Sequence, residues 1–397
     1  MTYQHKRIRL LFIPLGMIMF ICLGAVYSWS VFRKPIESAF EIGSAQSGLP
    51  YMLFLASYAF LMPLGGYLMT RIHPRIVIMI GGLMVGTGWI LSGFAPNITL
   101  LSLTYGVLAG GGVGLVYGVP MAVAAKWFPE KKGLAVGLTL SGFGVSPFVT
   151  APLARHLIHE FGPFSTFTIM GTAFLIIILV LALPFRFPEA SEESLSGKGP
   201  AGSSPETDTR AMLKTRKFYG LWICFGISTM VGLMTIGITG PVGEEIAHID
   251  PVHAAWAVAA FSIFNGLGRP LFGWLTDRFG PYKTASLAYL LMALASLFML
   301  LGKEGSVPTY LAAFSLLWLV LGGWLAIAPT TTSIFFGQQH YSRNYGVVFT
   351  AYGVGALIGV SSAGLIRDSF GSYLYVFYPV LILGILGLVL SALFLRK

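Results

Sequence analysis

Charged residues are scarce in this chain. Asp, Glu, Lys and Arg together make up 10% of its 397 residues, whereas roughly 25% is typical of soluble domains. Hydrophobic residues account for 55%. This composition excludes an ordinary soluble globular protein and indicates a chain that crosses a membrane many times. The 49 glycines agree with this, because glycine lets helix backbones approach closely in a bilayer.

Residue types that carry chemistry are also rare. The two cysteines, Cys22 and Cys224, both fall in apolar runs and are interpreted as packing residues. The sequence contains no glycine-rich phosphate loop, metal-ligand cluster or nucleophile motif, so we expect neither an enzyme nor a cofactor or metal. No acidic residue falls clearly inside a predicted span, and the seven histidines lie in tails, loops or helix ends. The sequence therefore offers no obvious proton relay within the membrane.

Twelve apolar runs, separated by short polar or Pro/Gly-containing breaks, predict twelve membrane-spanning helices. At roughly 20–25 residues each, they leave too few residues for a large soluble domain. The Ser-, Gly-, Pro- and Glu-rich segment 187–217 predicts a flexible linker. We therefore expect an all-α membrane protein with an N-terminal six-helix bundle at 1–186 and a C-terminal six-helix bundle at 218–397. The predicted spans are 10–32, 46–70, 76–95, 99–126, 133–157, 164–186, 218–243, 253–276, 283–302, 307–336, 344–366 and 372–395.

The excess of basic residues, a formal net charge of +10, predicts the orientation of the chain. When the spans are threaded in order, 19 of the 25 basic residues share a side with the amino terminus. The positive-inside rule then predicts that both termini are cytoplasmic, so the charge does not require a nucleic-acid partner. Arg269 is the one basic residue left inside a span. Five fall on the other side: Arg33, Lys34, Arg155, Lys303 and Arg367.

An internal repeat supports two similar halves. The segment 62–74 reads MPLGGYLMTRIHP and the segment 269–281 reads RPLFGWLTDRFGP, and six residues coincide when the two are shifted by 207 positions. Parallel repeats of this kind are common in transporters. The second copy, with its continuation to Lys283, resembles the loop signature of the major facilitator superfamily. The first copy departs from that signature at Thr70 and His73, where the family usually has Asp and Gly.

Further motifs resemble one branch of that superfamily. They are Tyr27-Ser28-Trp29, the segments 114–118 and 126–135, Asn265 to Pro270, and Ser342 to Gly346. Together they are similar to oxalate:formate antiporters and monocarboxylate transporters, which carry small carboxylates. The resemblance implies that Arg269 is the substrate-binding arginine of helix 8.

Two departures from that branch bear on substrate and mechanism. Oxalate exchangers have a lysine on helix 11 where this chain has Tyr352. One fixed cation in place of two favours a monocarboxylate over a dicarboxylate. Animal monocarboxylate transporters have an aspartate four residues before the helix-8 arginine, where this chain has Asn265. Their proton-coupling mechanism therefore does not transfer directly.

Arg269 also stands out without the resemblance. An arginine at the centre of a span costs roughly 2.5–3.5 kcal/mol on insertion scales, and the sequence offers it no buried counter-ion. A guanidinium binds a carboxylate through two parallel hydrogen bonds, so the missing partner is interpreted as the substrate. The alternative is an arginine that snorkels or caps the carbonyl groups of a neighbouring helix.

Other candidate residues accompany Arg269. Aromatic side chains at similar predicted depth are expected to contact a short acid, although each one alone could equally face lipid or core. Exposed motif charges are candidate gate residues, with solvated loop charges as the alternative. Glycines at 106, 110, 114 and 118 are expected to give helix 4 a smooth packing face. The candidate substrate residues are Arg269, Asn265, Tyr27, Tyr117, Phe143, Trp324, Phe349 and Tyr352, and the candidate gate residues are Arg71, Asp277 and Arg278.

The expected function is secondary transport of a small monocarboxylate such as lactate. Proton symport is the first expectation from the resemblance, with a monomer in the lipid bilayer of a bacterial inner membrane. An oxalate/formate-type exchanger is the alternative within transport. A carboxylate sensor is the alternative from another class, although a long cytoplasmic effector domain is absent from the sequence.

Overall fold

The computed structural model describes residues 3–69, 71–128, 132–188, 207–337 and 340–396. The described chain is helical and forms twelve membrane-spanning segments, α1 to α12. Three spans of the first bundle consist of more than one helical piece: α1 comprises Tyr3–Leu23, a 3-10 turn Gly24–Ser28 and Trp29–Phe40; α2 comprises Ser44–Ser47 and Leu49–Leu68; and α4 comprises Ile98–Leu101, the π-helical Ser102–Ala109 and Gly110–Trp127. The other spans of this bundle are α3 (Pro74–Ser92), α5 (132–161) and α6 (163–182). The second bundle consists of α7 (Arg216–Glu245), α8 (251–279), α9 (281–301), α10 (Val307–Phe336), α11 (Tyr341–Phe370) and α12 (Tyr373–Val376 with Phe377–Phe394).

Glycine followed by proline divides two long helical stretches into separate spans. Lys132–Ala182 and Pro251–Leu301 each contain 51 residues, about 76 Å of helix at 1.5 Å per residue. That is more than twice the ~30 Å thickness of the hydrocarbon core. Gly162 (φ 78°) and Gly280 (φ 84°) have positive φ, which ends each helix, and the proline that follows begins the next. The twelve spans predicted from the sequence are thus present.

The first helix is longer than predicted. The charged pair Arg33-Lys34 and Pro35 indicated an end near residue 32, but the helix continues to Phe40. The reason is that Arg33 is completely buried and lies 3.6 Å from the Glu37 carboxylate one turn later. The predicted end of the first span at residue 32 was therefore too early, and Arg269 is not the only buried arginine.

The two ends of the bundle are distinguished by the chain termini. Arg9 lies 5.0 Å from the centroid of the Phe128 ring, after α4. Arg396 lies 6.0 Å from the centroid of the Tyr282 ring, at the start of α9. We call this the termini end, and the opposite one, with the α5–α6 break at Gly162, the far end.

The predicted linker lies largely outside the described residues, which omit 189–206. Its last part is ordered against the second bundle. Thr207 N donates to Phe336 O at 3.1 Å, and the buried Asn344 donates through Nδ2 to Thr207 O at 2.9 Å. A helical turn at Thr209–Met212 follows, and α7 begins at Arg216. The boundary between linker and second bundle therefore precedes the predicted one.

The glycine face of α4 packs against the backbone of α2, as the four-residue spacing predicted. A Cβ added at Gly110 would lie 2.5 Å from Phe54 O, and one at Gly114 would lie 2.6 Å from Tyr58 O. A side chain has no room at either position, because the obstacle is backbone. At Gly118 the nearest atom is the flexible Cε of Met69, at 3.3 Å.

We expect Gly114→Val to destabilise the purified protein by about 1–3 kcal/mol, the usual cost of overpacking. The matched control is Gly118→Ala, where the end of Met69 can move aside. Thermal unfolding in detergent compares the two variants. Equal midpoints for both would contradict the close approach of α4 and α2.

Candidate substrate site

Arg269 lies within α8, ten residues before the end of this helix, or about 15 Å along its axis. Its side chain is 5% exposed. Nη1 donates to Leu140 O of α5 at 3.0 Å, and Nη2 donates to Asn265 Oδ1 at 3.3 Å. Nε is buried without a hydrogen-bond partner. The guanidinium has five N–H donors, so these two bonds leave hydrogen-bonding capacity unused.

No carboxylate of the described residues lies within 4.0 Å of Arg269. Its two acceptors are neutral oxygens, which partly solvate the positive charge without neutralising it. The bond to Leu140 O means that Arg269 caps one carbonyl group of a neighbouring helix, as the alternative interpretation of this residue proposed. The unpartnered Nε and the uncompensated charge still favour an anion, because a buried charge is costly unless paired.

A close crossing of α5 and α8 holds the arginine in place. Gly144 permits this crossing, since a Cβ added there would lie 3.0 Å from Asn265 Oδ1 and 3.1 Å from Gly266 Cα. Asn265 is itself completely buried and donates through Nδ2 to Trp318 O of α10 at 3.2 Å. The amide oxygen is thereby directed at Arg269. Asn265 thus links the guanidinium to α10 through two hydrogen bonds.

Five of the predicted aromatic residues meet in one buried cluster between the bundles. The hydroxyl groups of Tyr27 and Tyr352 are 2.8 Å apart, which joins α1 to α11. Phe143 packs edge-on against Tyr27 at 5.1 Å and against Tyr117 at 5.4 Å. Phe349 stacks on Tyr352 at 4.9 Å and lies 6.2 Å from Tyr117. We call these five residues the aromatic cluster.

Trp324 does not join the aromatic cluster directly. Its indole is buried and lies 5.3 Å from Tyr289 and 6.3 Å from Phe225, within the second bundle. Six residues along a helix correspond to 600°, so Trp318 presents a different face of α10. That face lies towards the site, since Trp318 is 6.5 Å from Tyr27. The two tryptophans also lie about 9 Å apart along α10, so the predicted depth of Trp324 did not place it beside Tyr27.

Two further tyrosines lie near the site and were not identified from the sequence. Tyr58 of α2 lies 4.9 Å from Tyr117 and 5.4 Å from Tyr352, at the centre of the aromatic cluster. Tyr345 lies 5.7 Å from Phe349 and within electrostatic range of Arg269. The i, i+4, i+7 spacing of Tyr345, Phe349 and Tyr352 was a usable signal. No comparable signal marks Tyr58, whose position depends on how the two bundles pack.

The predicted gate residues lie at the termini end and are exposed. Arg71 lies 5.5 Å from the centroid of the neighbouring Tyr67 ring. Arg278 lies 5.5 Å and 5.6 Å from the Trp274 and Phe279 centroids. Asp277 forms no ion pair within the described ranges. A gating role for these residues stays a prediction.

Polar contacts join the two bundles at the far end. The Asp368 carboxylate of α11 accepts from Ser44 N at 3.0 Å and Ala45 N at 2.9 Å, at the start of α2. Arg33 donates through Nη1 to Gly237 O of α7 at 3.3 Å, and Tyr51 donates to Leu233 O at 3.1 Å. These contacts connect the two bundles at the far end.

Twelve spans in two six-helix bundles, with an uncompensated arginine between them, define a membrane transporter. A model of the Major Facilitator Superfamily matches residues 15–246 and 227–397. The chain belongs to this superfamily, within the branch of oxalate:formate antiporters and monocarboxylate transporters.

Individual relatives agree with this placement. The chain is 30% identical to the oxalate:formate antiporter of Oxalobacter formigenes over 357 residues, covering 89% of this chain and 84% of the relative. It is 26% identical to monocarboxylate transporter 13 of Bos taurus, covering 89% and 81%. A solved bacterial homologue of the human lysosomal transporter Spinster, in an inward-facing and unoccupied conformation, has the same fold, with a TM-score of 0.73 at 16% identity, covering 99% of this chain and 96% of that one.

Proposed function

We propose that this protein carries small monocarboxylates, lactate or similar short acids, across the membrane by alternating access. The observation that carries the proposal is Arg269, which is buried beside the aromatic cluster with Nε unpartnered and no carboxylate near it. A single fixed cation matches the single charge of a monocarboxylate. The names of the similar antiporter and monocarboxylate transporter support the same substrate class.

The contacts of Arg269 suggest how binding leads to movement. The guanidinium belongs to the second bundle, and Leu140 O belongs to the first. A substrate carboxylate that binds both Nη1 and Nη2 as a bidentate pair competes with this bond between the bundles. Substrate binding therefore neutralises the buried charge and weakens the α5–α8 contact in one step. Both effects favour the rearrangement that exposes the site to the other side.

Proton symport is our first proposal for coupling, and exchange is the second. The described spans place no carboxylate within 4.0 Å of Arg269, and arginine keeps its proton. In symport the proton would therefore travel on the acid, on water or through a more distant group. Exchange needs no proton, since the carrier returns loaded with another anion. A carboxylate sensor would bind the acid without transporting it.

The experiment is uptake of labelled lactate, pyruvate, formate and oxalate into proteoliposomes containing the purified protein, with and without an inward proton gradient. Stimulation by the gradient supports symport. Dependence on carboxylate loaded inside supports exchange. Binding without flux would overturn transport in favour of a sensor. We propose in addition that the protein acts as a monomer in a bacterial inner membrane, with the termini end cytoplasmic.

We expect Asn265→Asp to raise the KM for the transported carboxylate about tenfold at neutral pH, equivalent to about 1.4 kcal/mol. The new carboxylate would replace the amide oxygen that lies 3.3 Å from Nη2 of Arg269, giving the arginine a counter-ion that the substrate must displace. Initial uptake rates measure this change. Asn265→Ala, which removes the amide oxygen without adding charge, is expected to have a smaller effect. Equal KM values for the two variants would contradict the charge argument.

A further inference from the structure

A second charged cavity lies between the bundles at the far end. Its volume is about 230 Å³, several times the ~30 Å³ that one water occupies in the liquid, so a short acid fits. It is lined by Lys34 of α1 and Arg155 of α5 from the first bundle, and by Glu244 of α7 and the start of α8 from the second. We call it the far-end cavity.

The charges of the far-end cavity are unequal. Lys34 Nζ and Glu244 Oε2 form an ion pair at 3.0 Å between the two bundles. Arg155 has no such partner, because no carboxylate of the described chain lies within 4.0 Å of it, and its Nε is buried without a hydrogen bond. Two cations thus share one carboxylate. The remaining positive charge sits on a side chain whose buried donor is unsatisfied.

The same two helices pass the far-end cavity and Arg269. Arg155 is 15 residues from Leu140 along α5, and Ala254 is 15 residues from Arg269 along α8. Both separations correspond to about 22 Å, and both helices connect the cavity to the guanidinium. Arg155 and Lys34 therefore lie nearer the far end than Arg269 does.

We propose that the far-end cavity is a second binding site for the same class of carboxylate, in which the acid binds Arg155 and displaces Glu244 from Lys34. This inference rests on the proposed function. Displacing Glu244 breaks the ion pair between α1 and α7. Binding in the far-end cavity therefore removes one of the contacts that join the two bundles at this end. The far-end cavity thus binds the anion and at the same time weakens a contact between the two bundles.

The test compares uptake from each end of the protein, in right-side-out and inverted membrane vesicles of an expressing host. The probe is whichever of lactate, pyruvate, formate and oxalate the unmodified carrier transports fastest. We expect Arg155→Gln to raise the far-end KM about tenfold, the loss of one charge pair, with the termini-end KM and kcat within about twofold. Arg155→Lys is expected to retain most of the affinity, since it keeps the charge. Lys303→Gln is the matched control, because Lys303 is exposed at the same end and does not line the cavity.

A second variant tests the displacement step without removing a cation. Glu244→Gln frees Lys34 for the substrate, so the far-end KM should fall about threefold. If Arg155→Gln does not fold, Lys34→Gln should raise the far-end KM in its place. An unchanged far-end KM in the folded variants, or an equal change at both ends, would overturn the inference.

The results distinguish a failure of this inference from a failure of the proposed function. They also distinguish a carboxylate site from a phosphate site. An unchanged far-end KM for Arg155→Gln, while Arg269→Gln abolishes transport, contradicts the second site alone. Normal transport by Arg269→Gln contradicts the proposed function itself. Inorganic phosphate at the concentration of the probe should inhibit uptake less than twofold. Strong inhibition that disappears in Arg155→Gln would assign the cavity to phosphate and overturn the carboxylate assignment.

Discussion

Replacing Arg269 with glutamine is expected to reduce carboxylate uptake at least 100-fold in reconstituted proteoliposomes. Glutamine can still donate towards Leu140 O but carries no charge, so the substrate anion would enter a buried site without a counter-ion. A 100-fold loss corresponds to about 2.7 kcal/mol, within the 2–5 kcal/mol range for truncating a buried charge pair. Initial uptake rates of labelled lactate, pyruvate and formate measure the effect.

Two further variants make the Arg269 experiment decisive. Arg269→Lys keeps the charge but loses the planar fork that holds both carboxylate oxygens, so we expect an intermediate loss of about tenfold. Arg75→Gln removes an exposed arginine at the termini end and should transport normally. Size-exclusion profiles and thermal unfolding confirm that each variant is folded. Normal uptake by Arg269→Gln would show that the central assignment is wrong.

Introducing a second cation at Tyr352 is expected to change the preferred class of acid. Tyr352 is completely buried, and its hydroxyl contacts that of Tyr27, which itself lies within electrostatic range of Arg269. A lysine here would place an ammonium group across the site from the guanidinium of Arg269. Two cations suit an acid that carries two carboxylates. We expect the ratio of kcat/KM for oxalate to that for lactate to rise at least tenfold, or about 1.4 kcal/mol.

The control for Tyr352→Lys is Tyr352→Phe, which loses the hydroxyl contact but adds no charge. It should leave the oxalate-to-lactate ratio within about twofold. A buried lysine without a partner costs stability, so oxalate should raise the unfolding midpoint of Tyr352→Lys more than that of the unmodified carrier. Tyr352→Arg provides a second test if the lysine variant does not fold. An unchanged ratio in folded variants would discredit the argument from cation number.

Most of the fold follows from local sequence. Apolar runs longer than ~20 residues have one stable arrangement in a bilayer, because every backbone polar group must be satisfied within a helix. Gly162-Pro163 and Gly280-Pro281 then mark helix ends that hydropathy alone would not place. The glycine face of α4 was predictable for the same reason, since its four-residue spacing is a property of one helix.

Residues that depend on contacts between helices were predicted less well. Arg33 was expected just outside the first span, yet carbonyl groups of α2 and α7 and the Glu37 carboxylate surround it. Trp324 and Trp318 share a helix but lie about 9 Å apart along it, and only the packing of α10 shows that Trp318 lies nearer the aromatic cluster. Tyr58 carried no local signal of its place among those rings.

The sequence by itself determined the membrane class, the twelve spans and the repeated plan, and it marked Arg269 as the candidate substrate residue. These features depend on hydropathy, on backbone hydrogen bonding and on the residue types within each span, all of which are local. Only the tertiary structure decided which aromatic side chains meet, that Nε of Arg269 stays unpartnered, and that Arg155 and Lys34 share a cavity with Glu244. The reason is physical: these contacts join residues far apart in the chain, and the packing of the two bundles brings them together.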